Sequence, residues 1–251
     1  MITQMTMDPK VTTAQIGGPI IDLFAEGQST NSAVALSSDI TGVSGERLDA
    51  HFWLPMCAQT LNISPNIKDY IVCPVVGLIS DIPNTNGDSI SKVELLRWQS
   101  AQACAMYKTF KGRPTYLEHD NQILANAKGV ILDAYISPLA GYQGDHAKVV
   151  MLAAYDRTKD TQLTDAILRR ELNTYSIGAN YESYECSATG LKYRQGNTPG
   201  RFTKPGTPTY MNTSTGELVY RKLLNLVAIE LSSVSYPAYT SAVSDTLLEM
   251  R

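Results

Sequence analysis

Histidine is scarce in this chain. His51, His119 and His146 are the only three in 251 residues. A metal-dependent hydrolase needs several imidazole or carboxylate ligands at short spacing, so His119-Asp120 is a poor start for one. Cysteine is nearly as sparse. Cys57, Cys73, Cys104 and Cys186 lie far apart and form no C-x-x-C pair, which argues against a structural zinc site. Reduced thiols in a cytoplasm-like compartment are expected. Nothing near Cys186 would depress its pKa, which sets a cysteine nucleophile there aside. No apolar run has the length to span a bilayer, so no membrane partner is expected. Met1 to Lys10 lacks a basic stretch leading into an apolar one, so no secretion signal is expected either. A net charge of −3 gives no electrostatic case for nucleic acid.

What is present is a chain with a hydrophobic fraction of 43%, enough for the core of one large domain spanning residues 1–251. Residues 1–48 are rich in Thr, Ser, Gly and Asp and read as a peripheral segment. Within it, Ile20 to Phe24 suits a short strand. His51 to Met56 is apolar enough to pack onto something. Tyr70 to Ser80 reads as a buried strand, broken or bulged near Pro74 and Gly77. Ser91 and Glu94 have the form of a capping box. A helix is expected from Lys92 to Tyr107, with Val93, Leu96, Trp98, Ala101 and Cys104 as its apolar stripe.

Lys128 to Ile136 and Ala147 to Tyr155 read as strands, the second apolar on both sides and so central. A second helix is expected from Thr161 to Leu172, with Leu163, Ile167, Leu168 and Leu172 on one face. Asn173 to Tyr181 returns to strand character. Residues 186–215 read as a long loop excursion. Leu223 to Tyr236 is a further strand region, and Thr240 to Met250 a short amphipathic helix. Strands dominate without regular βαβ alternation, so the expected fold is mainly β with flanking helices (α+β), a closed or partly closed β-barrel.

Three side chains suggest chemistry. His119 follows a run of β-formers and precedes a polar turn, where an imidazole titrating near neutrality can move protons. Its alternative is a structural histidine with a hydrogen-bond partner. Ser176, in Tyr175-Ser176-Ile177-Gly178, begins a strand just after a helix. Gly178 would let a substrate backbone approach closely. Glu230 lies among apolar residues in Val227 to Leu231, where a carboxylate is costly to bury without a partner. Its alternative is the solvent face of an edge strand. Glu118 and Asp120 flank His119, but on a strand they would point away from it.

Together these pieces resemble the prohead (capsid maturation) serine proteases of tailed phages, related in fold to the herpesvirus assemblins. The resemblance runs from about Gly112 to Ala238. It rests on the order His, Ser, acid, on the helix-to-strand passage Leu163 to Glu182, and on Glu230-Leu231-Ser232-Ser233-Val234-Ser235-Tyr236-Pro237-Ala238. It implies an assemblin-like barrel surrounded by helices. It implies a serine endopeptidase that cuts scaffold and capsid proteins, and itself, inside the assembling procapsid in the host cytoplasm. Ser176 would be the nucleophile, His119 the base and then the acid, and Glu230 the orienting acid, with Asp133 and Glu182 as fallbacks. No metal or cofactor is implied. A homodimer or higher oligomer is. Relatives that cut after Glu make Ser44-Gly45-Glu46 a candidate self-cleavage site. A non-enzymatic capsid assembly factor is the competing reading.

Overall fold

The computed structural model describes residues 21–22, 50–139, 145–195, 210–211, 218–239 and 242. A seven-stranded sheet dominates, in the order β1 (Ile21–Asp22), β2 (Tyr70–Ile79), β8 (Ala147–Asp156), β7 (Gly129–Pro138), β6 (Pro114–Leu117), β15 (Val227–Ser233) and β9 (Tyr175–Asn180). Neighbours are antiparallel except β6 and β15, which run parallel. Strands β2 and β8 are buried along their whole length, as long runs of apolar β-formers require.

One-residue register shifts at Gly77, Leu132 and Ile229 bend the sheet. It curls into a half-barrel that brings β9 toward β2. The Cys73 thiol lies 3.7 Å from the Tyr175 hydroxyl, and a Cβ on Gly77 would stand 3.2 Å from Ile177. The concave side holds the larger core, including Ile71, Leu78, Ile131, Met151, Tyr155, Tyr175 and Leu231. The opposite face is covered by α1 (Ala50–Leu61), whose Leu54, Ala58 and Leu61 pack with Tyr70, Val72, Tyr116, Val130 and Leu152. The apolar stretch at His51 to Met56 therefore belongs to a helix.

The expected long helix at Lys92 is wrong. Ser91 does cap α2, accepting from the Glu94 N–H at 3.1 Å, but α2 (Lys92–Leu96) stops after five residues. The Glu94 carboxylate does not reach back to the cap. It takes the Arg97 guanidinium at 2.9 and 3.0 Å and the Leu226 N–H at 2.9 Å. That pins the entry to β15 and leaves no second half to the capping box. The proposed stripe faces out: Val93 is 80% and Trp98 63% exposed. Short strands β4 (Trp98–Gln99) and β5 (Cys104–Ala105) replace the remaining turns, followed by the 3-10 turn Met106–Phe110.

Helix α3 (Thr161–Leu168) starts where expected, capped by Asp160, whose carboxylate accepts from the Leu163 N–H at 3.0 Å. It ends before Leu172. Residues 186–215 are not one loop. Strands β10 (Ser183–Cys186), β11 (Lys192–Arg194), β14 (Arg221–Leu224) and β3 (Asp88–Ser89) form a second sheet, and β12 (Tyr210–Met211) pairs with β13 (Leu218–Val219). The Leu223 to Tyr236 region divides into β14 and β15 at Asn225, whose φ is 56°. Most of residues 1–48, with Ser44-Gly45-Glu46, and the expected Thr240 to Met250 helix apart from Ala242 lie outside the described residues.

Candidate active site

His119 does not end the strand. It sits two residues beyond β6, at the tip of a tight turn. The Asp120 N–H donates to the Leu117 carbonyl at 3.0 Å, and the two central residues are both left-handed, Glu118 at φ 50° and His119 at φ 57°. Two such residues with side chains cost on the order of 1–2 kcal/mol each. Tertiary contacts hold them there. The Glu118 N–H donates to the Ser233 carbonyl at 2.9 Å, and its carboxylate accepts from the Ser235 N–H at 2.8 Å and hydroxyl at 2.6 Å. The turn is thus fastened to the end of β15.

From that turn His119 reaches Glu230. Its Nδ1 stands 2.8 Å from Glu230 Oε1. A carboxylate only accepts, so Nδ1 carries a proton, and in the neutral ring Nε2 keeps the lone pair. Glu230 is fully buried, so of its two readings the solvent face of an edge strand is excluded. The hydrogen bond to Glu230 raises the His119 pKa above the ordinary 6.5, against the opposing effect of burial.

The bulge at Ile229 explains how Glu230 comes to face the histidine. Ala228 and Leu231 both enter the concave core, although an unbroken strand would point them to opposite faces. The extra residue reverses the alternation and turns Glu230 and Ser232 to the other side. Ser232 donates its hydroxyl to Glu230 Oε2 at 2.5 Å. Across the ladder, Glu230 pairs with Gly178 and Ser232 with Ser176. A Cβ on Gly178 would lie 2.4 Å from Glu230 Oε1. Gly178 makes room for the carboxylate.

Ser176 therefore shares a face with Glu230 and Ser232, its Cβ about 5 Å from that of Ser232 by ordinary cross-strand geometry. It is 8% exposed. Its hydroxyl makes no hydrogen bond to His119 among the described residues. Active-site hydrogen bonds are often long without substrate and shorten when it binds. The fallback carboxylates lie elsewhere. Asp133 pairs with Lys108 at 2.9 Å, and Glu182 accepts from Asn225 at 2.8 Å. Asp120 accepts from Asn126 at 2.9 Å. Cys186 is buried in β10, and none of the four cysteines is in a disulfide. Among the described residues no three His, Cys, Asp or Glu side chains are grouped to hold a metal ion, and no helix is long and apolar enough to cross a membrane.

Sequence reasoning missed Glu118, Ser232 and the steric part of Gly178. The Glu230-x-Ser232 spacing was a usable signal, since residues two apart share a strand face. Glu118 carried no such signal, because its role depends on a left-handed turn. A surface groove lined by Asp81, Lys92, Val93, Leu96, Asp145 and His146 lies at the opposite end of the strands from His119.

Compared with protein-family models, curated proteins and solved structures, the chain matches none.

Proposed function

We propose that this chain is a serine endopeptidase, with Ser176 as nucleophile, His119 as general base and acid, and Glu230 as the carboxylate that orients the imidazole. One observation carries the reading. Two residues 111 apart in sequence, an imidazole and a carboxylate, meet at 2.8 Å with the acid fully buried. The same strand face presents a serine one strand away.

In this mechanism His119 Nε2 takes the proton of Ser176 as its Oγ attacks the scissile carbonyl. The resulting imidazolium is stabilised by Glu230 through Nδ1–H. It then protonates the leaving amine, and an acyl ester remains on Ser176. A water molecule activated by the same nitrogen hydrolyses that ester. The steps call on no cofactor.

The substrate class comes from the resemblance to prohead proteases: scaffold and capsid proteins inside an assembling procapsid in a host cytoplasm. An assemblin-like barrel, a homodimer and self-cleavage after Ser44-Gly45-Glu46 belong to the same proposal. Ser176→Ala should abolish cleavage of co-expressed scaffold or capsid protein, and of the chain itself, with an unchanged circular dichroism spectrum. Cleavage retained by that variant would remove Ser176 from the role. The second reading is a non-enzymatic capsid assembly factor. It is favoured by the low exposure of Ser176 and by the missing His119–Ser176 hydrogen bond. It predicts no cleavage by either form.

A further inference from the structure

We infer that Ser232 is a positioning residue: its buried hydroxyl fixes the Glu230 carboxylate in the one orientation that lets Oε1 meet His119 Nδ1. The inference deepens the protease reading and rests on it for its catalytic meaning, though not for its geometry. The carboxylate has one side-chain donor on each oxygen, His119 Nδ1–H on Oε1 at 2.8 Å and the Ser232 hydroxyl on Oε2 at 2.5 Å. Both Glu230 and Ser232 have no exposed surface, so water does not replace a lost donor. The histidine cannot hold the carboxylate by itself. Its ring is 42% exposed and hangs from a left-handed turn beyond the end of β6.

Ser232, in contrast, is a strand residue with partners on both sides, Tyr116 in β6 and Ser176 in β9. It is the rigid side of the arrangement. Gly178 supplies the space into which the carboxylate fits, and the bulge at Ile229 supplies the facing. Remove the Ser232 hydroxyl and Oε2 is an orphaned acceptor in a dry site. The carboxylate then rotates to seek another donor, and the His119 contact is lost with it.

The test is an NMR titration of the His119 imidazole, assigned by its absence in His119→Asn. It reads the pair directly and needs no substrate. Ser232→Ala should lower the His119 midpoint toward the ordinary value, because the hydrogen bond to Glu230 is what raises it. Ser232→Thr, which keeps the hydroxyl, should leave it raised. If Ser232→Thr does not fold, Gly178→Ala gives the second arm, since its methyl displaces the same carboxylate and should lower the midpoint likewise. On a cleavable substrate, Ser232→Ala should reduce kcat by about 10- to 100-fold with KM nearly unchanged, as small misplacements in catalytic groups do. An unchanged or raised His119 midpoint in folded Ser232→Ala overturns the inference, whatever its activity. A lowered midpoint in a protein whose Ser176→Ala form still cleaves keeps the positioning role and discards Ser176 as the nucleophile instead.

Discussion

Replacing Gly178 with alanine tests whether the buried carboxylate is held where the geometry says. The new Cβ would stand 2.4 Å from Glu230 Oε1, 2.9 Å from Cγ and 3.0 Å from Cδ, where ordinary contact begins at 3.4 Å. The overlap is about 1 Å, against a side chain with no exposed surface to retreat to. Overpacking of this kind costs about 1–3 kcal/mol. If the carboxylate gives way, it also loses hydrogen bonds from His119 and Ser232, each worth about 1.5–3 kcal/mol for a charged acceptor. A net loss of about 3 kcal/mol is expected. With a urea m-value of about 3 kcal/mol/M for a chain of this size, the unfolding midpoint falls by about 1 M. The decisive control is the same substitution in a Glu230→Ala background. There the obstacle is gone, and alanine suits a strand better than glycine, so the change should cost under about 1 kcal/mol or stabilise slightly. The cycle then shows a coupling of about 2–3 kcal/mol. Equal losses in the two backgrounds would refute the reasoning.

Three further predictions follow from charges. The folded pKa of His119 lies above 6.5, so its pairing with Glu230 stabilises the protein fully below that pH and the contribution is lost as pH rises through the folded value. Denaturant titrations of the native chain and of His119→Asn should therefore converge as pH climbs through neutrality, and parallel curves would contradict this. The proposed mechanism runs the other way: with the neutral ring as base, the rate should rise with pH, and Glu230→Gln should move that rise to lower pH. Lys108→Ala should cost about 3–5 kcal/mol in chemical unfolding, because it leaves Asp133, 3% exposed, without its ammonium partner. A loss below about 1 kcal/mol would show that the Ala134 N–H, at 2.8 Å, is partner enough.

Much of the sheet could be read from the chain because long apolar β-runs leave few alternatives. Tyr70–Ile79 carries its bulge at Gly77, where the sequence hinted at one, and Ala147–Asp156 is buried throughout. The Lys92 helix failed for a physical reason. An apolar spacing of three and four residues also suits a five-residue helix followed by a hairpin, and the outcome depended on Glu94 bonding to Leu226, 132 residues away. The second sheet was missed because its strands are short and polar on one face. His119 and Glu230 were legible as isolated oddities of residue type. What joins them was not, since it comes from a bulge at Ile229, two left-handed residues and the fit of a carboxylate over Gly178. Those are properties of register, which no single stretch encodes.

In the proposed mechanism Ser176 is a nucleophile activated by the His119–Glu230 pair. The most direct measurement is covalent labelling with a fluorophosphonate, read by intact mass and peptide mapping. One equivalent of label on Ser176, abolished in His119→Asn and slowed in Glu230→Gln, is the predicted result. A folded protein that takes no label, or takes it at a residue other than Ser176, would contradict it.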